Sequence, residues 1–173
     1  KIEEYNNKSL ENIEKIAHYG ANKLLNGQTV MAFDYSSSVN AVLHQAIEEG
    51  KNLFIIIPES RVINGGKPIL RDMLKCGCHI LFTADVSIGR EIRKCDMVLV
   101  GAESITADGG FWNTVGTCST AILANYYHVP FYVATELMKF DTRSVNGIMR
   151  KVERVPLTIF DFEDLGSLPK SVN

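Results

Sequence analysis

The residue types best suited to ligand chemistry lie in one stretch of the sequence, after an apolar run that predicts a buried strand. That run covers residues 97–100, and Gly101, Ala102 and Glu103 follow it directly. After a Gly-Gly turn, small polar residues begin an apolar helical stretch: Asn113, Thr114, Gly116 and Thr117. A carboxylate accepts hydrogen bonds from hydroxyl groups, and the free N–H groups at a helix start hold phosphate. The combination predicts a site for a phosphorylated polyol; a structural turn whose glycines serve only the backbone is the alternative.

Polar residues also follow each of the earlier predicted strands. The strands predicted at 29–33, 53–57 and 79–82 are followed by Asp-Tyr-Ser-Ser-Ser, by Glu-Ser-Arg and by Thr-Ala-Asp. Because the carboxyl ends of parallel strands meet at one edge of a sheet, we expect these groups to converge. The predicted ligand-binding residues are Ser36, Ser37, Glu59, Arg61, Asp85, Glu103, Asn113, Thr114, Gly116 and Thr117.

Arg61 is the predicted partner of an anionic ligand, because a guanidinium group holds a phosphate through two parallel hydrogen bonds. On this interpretation, Arg61→Ala weakens binding of a phosphate ligand by about 1.5–3 kcal/mol. The backbone N–H groups of residues 115–117 are expected to face the anion and to add the helix dipole. An ion pair of Arg61 with Glu59 or Asp85, which would only stabilise the loop, is the alternative.

These residues would be positioned by continuously apolar strands that alternate with helical stretches. The pattern predicts an α/β fold of the Rossmann-like, doubly wound type, with a mostly parallel sheet and helices on both faces. Ser9 is the predicted N-cap of a first helix that ends at Asn26-Gly27, and later helices are expected at 39–49, 66–76, 86–93 and after 117. We expect a connecting helix over 1–27, a ligand-binding domain over 28–160 with a last strand at 156–160, and an irregular tail over 161–173.

Composition excludes several classes of function. A net charge of −2 and a pI of about 6.1 argue against direct nucleic-acid binding and against a membrane surface. No apolar run approaches the roughly 20 residues that a bilayer requires. Neither a dinucleotide fingerprint nor a P-loop is present, which argues against a nicotinamide or nucleoside-triphosphate cofactor, and we expect no cofactor. A cytoplasmic protein with reduced thiols is predicted, and zinc binding by Cys76, Cys78 and His79 is disfavoured because no second ligand pair stands nearby.

Two segments together resemble a known family. VLVGAESITADGGFWNTVGT, followed by HVPFYVATELMKFD, resembles the initiation factor 2B regulatory subunits (alpha, beta and delta) and the related isomerases of methylthioribose 1-phosphate and ribose 1,5-bisphosphate. The segments that contain Glu59-Ser60-Arg61 and Thr83-Ala84-Asp85 extend the similarity, which covers about residues 10–141. The resemblance implies the carboxyl-terminal domain of such a protein, a Rossmann-like fold, and a homo-dimer or hetero-oligomer. It also implies an amino-terminal helical domain, of which this sequence holds only the connecting helix.

The sequence departs from the isomerases at three positions. Tyr35 stands where their catalytic cysteine would be, Glu103 replaces a catalytic aspartate, and Thr114 replaces a lysine that contacts phosphate. A phenol with a pKa near ~10 is a poor substitute for a thiol in proton transfer. The resemblance therefore favours a non-catalytic, initiation factor 2B-like protein that binds a sugar phosphate or nucleotide, acts through subunit assembly and serves translation initiation. Two alternatives stay open: an aldose–ketose isomerase that uses Asp85, Glu103 and Tyr35, and an interaction module with an empty pocket.

Overall fold

The computed structural model describes residues 2–148 of the chain. Five α-helices lie within them: α1 Ile2–Ala21, α2 Ser37–Glu48, α3 Gly66–Lys75, α4 Ile88–Glu91 and α5 Thr117–Tyr126. The described strands are β1 Thr29–Phe33, β2 Phe54–Pro58, β3 His79–Thr83, β4 Met97–Val100, β5 Ser104–Ile105, β6 Phe111–Trp112 and β7 Phe131–Val133. The strand expected at 156–160 and the tail expected at 161–173 lie outside the described residues.

Five of the strands form one parallel sheet in the order β3-β2-β1-β4-β7. Val30 of the central strand β1 is in register with Ile55 of β2 on one side and with Met97 of β4 on the other. The chain builds outward from β1 to β3 and then returns to place β4 on the opposite side of β1. This reversal is the topological switch point of a doubly wound sheet, where ligands bind beyond the carboxyl ends of the strands. The α/β, Rossmann-like class is confirmed.

The sheet has a separate apolar core on each face because successive side chains of a strand point in opposite directions. Val30 and Ala32 face helices α1, α2 and α3, whereas Met31 and Phe33 face α4 and α5. All four side chains are at most 1% exposed. Burial on both faces explains why these strands are continuously apolar and not alternating.

The first helix differs from the prediction at both ends. Ser9 is not an N-cap, because α1 already begins at Ile2 and the Ser9 hydroxyl instead donates to Glu136 Oε1 at 3.1 Å. The helix ends at Ala21, before the predicted end at Asn26-Gly27. Leu24 lies in the turn that follows, where its side chain is buried and its N–H donates to the Ala21 carbonyl. The Ser9 side chain therefore serves a contact with a distant part of the chain and not a helix cap.

The second helix begins two residues before the predicted start. Ser36 is its N-cap, with extended backbone angles and a side-chain oxygen that accepts from the N–H of Val39 at 3.4 Å. The serines expected in a loop therefore supply the cap and the first turn of α2. A cap of this kind satisfies an N–H group that the helix itself leaves unpaired.

Two further segments differ from the expectation. The helix expected at 86–93 is a single α-helical turn, α4, flanked by 3-10 turns at Asp85–Ser87 and Ile92–Lys94. The Gly-Gly turn was anticipated, but it closes an antiparallel hairpin of β5 and β6 that was not. Strands of two residues are too short to show any periodicity.

Two absences hold for the part of the chain that the structure describes. Between residues 2 and 148, no helix has the length and apolar character needed to cross a membrane. Over the same residues, no three His, Cys, Asp or Glu side chains are grouped so that they could hold a metal ion. Cytoplasmic location stays a prediction.

Candidate functional site

A cavity of about 270 Å³ opens at the switch point, between the loops that follow β1 and β4. It is lined by Asp34, Tyr35, Ser36, Ser37, Ile63, Gly101, Ala102, Glu103, Asn113, Thr114 and Lys139. Five of the ten predicted ligand-binding residues are among them, namely Ser36, Ser37, Glu103, Asn113 and Thr114. The remaining predicted residues are not part of this lining.

The loop after β1 is bent by an unusual residue, Asp34. Its backbone has φ of 64°, in the left-handed region that an aspartate tolerates, and the residue is 3% exposed. Its carboxylate accepts a hydrogen bond from the Ser60 hydroxyl at 2.9 Å. Gly65 packs so closely over this carboxylate that a β-carbon there would collide with it. These contacts fix the point from which Tyr35 and Ser36 turn into the cavity.

The loop after β4 lies directly against the loop after β1. A β-carbon on Gly101 would come within 2.5 Å of Ser36 Oγ, so only a glycine allows this approach. Two residues further on, the N–H of Glu103 donates to the carbonyl of Trp112 at 2.8 Å. That bond joins the loop to the hairpin and sets the exposed Glu103 side chain at the mouth of the cavity.

The hairpin returns the chain to the cavity at Asn113 and Thr114. Its turn is closed by Asp108, whose carboxylate accepts from the Thr106 hydroxyl and from the N–H of Gly110. The Thr106 hydroxyl, followed by that N–H, holds the pKa of the Asp108 carboxyl below its usual value. The hairpin is therefore a rigid arm that carries cavity residues, and not a loose loop.

The start of α5 follows directly and is partly satisfied within the chain. The N–H of Thr117 donates to the Thr114 carbonyl at 3.1 Å, and the Thr117 hydroxyl accepts from the Asn113 amide at 3.0 Å. Gly116 has φ of 100° and packs against the ring of Phe33. The expectation that N–H groups of residues 115–117 face an anion therefore has limited support, since one of them already has a partner.

Lys139 is a cavity residue that sequence reasoning missed. Its half-buried side chain reaches the cavity and donates from Nζ to the Ala102 carbonyl at 2.7 Å. It belongs to a 3-10 turn after β7, and Glu136 next to that turn accepts hydrogen bonds from Ser9 and Asn12 of α1. No local signal in the sequence marks Lys139, because its loop reaches this edge only through the placement of β7 beside β4.

Glu59, Arg61 and Asp85 form a second group at the same edge, after β2 and β3. The two oxygens of Asp85 accept from the N–H groups of Ser60 and Arg61, both at 2.8 Å. The Arg61 side chain is 72% exposed and contacts Glu59 at 3.5 Å. This geometry matches the alternative in which these residues only stabilise the loop after β2. The Arg61 side chain pairs with Glu59, and the Asp85 carboxylate holds the backbone N–H groups of that loop.

Fold and cavity together define the class: a Rossmann-like α/β domain with a polar cavity at the switch point of its sheet. The model of the Initiation factor 2 subunit family matches residues 1–170, and the chain belongs to that family. The resemblance to this family is confirmed, while the assignment to its carboxyl-terminal domain stays a prediction.

The relatives include isomerases and translation factors. The ribose 1,5-bisphosphate isomerase of Methanocaldococcus jannaschii is 33% identical over 165 residues, which are 95% of this chain and 54% of that protein. Translation initiation factor eIF2B subunit alpha of Dictyostelium discoideum is 34% identical over 142 residues, or 82% of this chain and 44% of that protein. The crystal structure of the delta subunit of eIF-2B from A. fulgidus matches with a TM-score of 0.80 at 26% identity, over 91% of this chain and 49% of that one. The chain thus spans about half the length of the curated relatives it matches.

Proposed function

We propose that this protein binds a sugar phosphate in the cavity without isomerising it, and that it acts through assembly with another subunit or copy. The observation that carries the proposal is the position of the three departures from the isomerase pattern. Tyr35, Glu103 and Thr114 all line the one cavity at the switch point. All three departures therefore fall on residues that would touch a substrate in this cavity.

The cavity offers the groups that a sugar phosphate needs. The Lys139 ammonium supplies a positive charge that the threonine at position 114 does not. The hydroxyls of Ser36 and Ser37 and the Asn113 amide donate to phosphate or hydroxyl oxygens, and the Glu103 carboxylate accepts from sugar hydroxyls. The volume of about 270 Å³ lies just below the roughly 300–1,000 Å³ typical of ligand pockets, which favours a pentose phosphate over a nucleotide.

The same residues are poorly suited to aldose–ketose isomerisation, which needs a base and an acid positioned over adjacent carbons. Asp85 is engaged by two backbone N–H groups and is not part of the cavity lining. Tyr35 is 47% exposed and offers a phenol where the isomerases have a thiol. Glu103 is then the one carboxylate besides the buried Asp34 among the residues that line the cavity.

Isomerase activity is the second candidate, and it is favoured by the similarity to the ribose 1,5-bisphosphate isomerase of M. jannaschii. In this version Glu103 would act as the base and Tyr35 would donate a hydrogen bond to the substrate. The ligand site would be the same as in the first proposal, so binding alone does not separate the two.

The experiment combines calorimetry with an isomerase assay on the purified chain. We expect ribose 5-phosphate or a pentose 1-phosphate to bind saturably, AMP to bind more weakly, and no ketose to form in a coupled aldose-to-ketose assay. Ketose formation that Glu103→Gln abolishes would establish the isomerase instead. No heat of binding and no thermal shift with any of these compounds would identify an interaction module with an empty pocket.

A further inference from the structure

A second cluster of reactive side chains lies at the opposite edge of the sheet, where α3 ends and β3 begins. Cys76 caps the carboxyl end of α3, and its Sγ lies 3.4 Å from Nδ1 of His44 on the neighbouring helix α2. The Cys76 side chain lies close enough to Cys78 to contribute, after burial, to a raised pKa of the Cys78 thiol. The Cys76 thiol therefore has both an imidazole and a second thiol nearby, and both cysteines are free and half-buried.

The turn between the two cysteines keeps them close. Gly77 has φ of 70°, in the left-handed region, which ends the helix and reverses the chain between Cys76 and Cys78. A disulfide joins residues whose Cα atoms lie about 4.4–6.8 Å apart, so it needs the two cysteines close together, as this turn brings them. Nothing lies within 4 Å of the position that a β-carbon on Gly77 would occupy, so no neighbouring residue packs against that side of the turn.

The other two cysteines have different surroundings. Burial, followed by the charges of Asp96 and Glu91, raises the pKa of the Cys95 thiol to about 12. Cys118 is exposed on α5, which packs on the other face of the sheet from α2 and α3. Thiol reactivity requires access and a neighbour that takes the proton, and the pair at positions 76 and 78 has both.

We propose that Cys76 and Cys78 form a reversible thiol–disulfide site that is oxidised by peroxide, with His44 as the proton acceptor. The Cys76 thiol passes its proton to His44 Nδ1, and its sulfur attacks one peroxide oxygen. An S–O bond forms, the O–O bond breaks, and the leaving hydroxide takes the proton from His44 as water. The Cys78 sulfur then attacks the sulfenic sulfur, an S–S bond forms, and the hydroxyl group leaves as a second water with the Cys78 proton. Overall, two thiols are oxidised to a disulfide and one peroxide is reduced to two waters.

The structure indicates which cysteine reacts first. Burial, followed by the nearby Cys76, raises the pKa of the Cys78 thiol, which disfavours its thiolate form. Cys76 is the one in contact with the imidazole. Cys76 therefore serves as the attacking thiol, and Cys78 resolves the sulfenic acid before further oxidation.

The tryptic peptide 76–90 makes the test direct, because it contains Cys76 and Cys78 and no other cysteine. The intact chain is treated with one equivalent of hydrogen peroxide, alkylated with N-ethylmaleimide under denaturing conditions, digested and weighed. We expect peptide 76–90 to lose two hydrogens and to take no maleimide, and dithiothreitol before alkylation to restore two maleimides. Two maleimides on this peptide after peroxide, or a sulfinic acid on Cys76, would overturn the proposal.

Variants test the part played by His44. We expect His44→Gln to slow disulfide formation about tenfold or more, because the proton acceptor is lost. Cys118→Ser is the matched control, since it removes a thiol outside the cluster and should leave the rate unchanged. An unaltered rate in a folded His44→Gln protein would remove His44 from the mechanism as proposed. Because the cluster and the cavity lie at opposite edges of the sheet, the result does not depend on whether a sugar phosphate binds.

Discussion

Two cations near the carboxyl edge of the sheet differ in their surroundings, and this difference favours Lys139 as the partner of the proposed anionic ligand. Lys139 is half-buried, lines the cavity and is oriented by its bond to the Ala102 carbonyl. Arg61 is 72% exposed and paired with Glu59. A charge that is already ordered at a partly enclosed site loses less entropy on binding and is less screened than an exposed one.

Replacing Lys139 or Arg61 by a neutral residue should therefore have unequal effects on ligand affinity. We expect Lys139→Gln to raise the Kd for ribose 5-phosphate by about 10- to 100-fold, the range for losing a charge-assisted hydrogen bond. Arg61→Ala should change the Kd by no more than about twofold. Calorimetry measures both, with Lys75→Gln at the far edge as the control. A large loss for Arg61→Ala together with an unchanged Lys139→Gln would favour the anion site inferred from the sequence.

A cavity residue could be predicted from the sequence only where the residues next to it in the chain mark its position. Ser36, Glu103 and Asn113 were identified because each follows a strand directly or begins a helical stretch, and the sheet brings them to the cavity. Lys139 was missed because its role depends on β7 lying beside β4, which no local pattern shows. The hydrogen bonds of Asp85 to the loop after β2 are also non-local, and they could not be predicted before the strand order was known.

Helix α5 illustrates how one backbone position fixes an element against the sheet. Gly116 sits at the N-cap with φ of 100°, and a β-carbon there would come within 2.6 Å of the Phe33 ring. Gly109 in the hairpin turn has a similar φ of 83° but nothing within 4 Å. The two glycines share the conformational requirement and differ only in the contact.

Replacing each glycine by alanine should separate the cost of the left-handed backbone conformation from the cost of the contact with Phe33. Gly109→Ala is expected to destabilise the protein by about 1–2 kcal/mol, from the left-handed conformation alone. Gly116→Ala should cost about 1–3 kcal/mol more, because the added methyl group overpacks the core at Phe33. Urea denaturation of both variants measures the difference. Equal losses would mean that α5 shifts on the sheet without penalty and that its start does not help to position Thr114.

The elements that sequence patterns predicted well are those with long apolar runs. The strands predicted at 29–33, 53–57, 79–82 and 97–100 lie within about a residue of β1, β2, β3 and β4, because burial on both faces demands uninterrupted apolar residues. The β5–β6 hairpin and the divided helix around α4 were not, since their segments are too short for periodicity to show. The hairpin matters for the site because it alone returns Asn113 to Glu103 across the end of β4.

At the scale of the whole molecule, one core packs on each face of the sheet, and the core around α4 and α5 contains a buried carboxylate. The side chain of Glu91 is 5% exposed and lies 2.6 Å from Lys94 Nζ and 3.1 Å from Arg90 Nε. The hydrogen bond from Lys94, followed by the charges of both cations, holds the pKa of the Glu91 carboxyl below its ordinary value of 4.5. Protonation of this group therefore favours the unfolded chain.

The lowered pKa of Glu91 should make the free energy of unfolding depend on pH in the acidic range. Because the folded pKa lies below the unfolded one, Glu91 contributes its full stabilisation above the unfolded pKa, and the contribution is lost as the pH falls through the folded value. We expect Glu91→Gln to be less stable than the wild type at about pH 6, and the gap to narrow as the pH falls through the folded pKa of Glu91, where the wild-type carboxyl also becomes neutral. Urea unfolding across this range measures the gap, with Glu14→Gln, an exposed glutamate of α1, as the control. A gap that stays constant with pH would show that the Glu91 side chain stabilises the fold through packing and not through its charge.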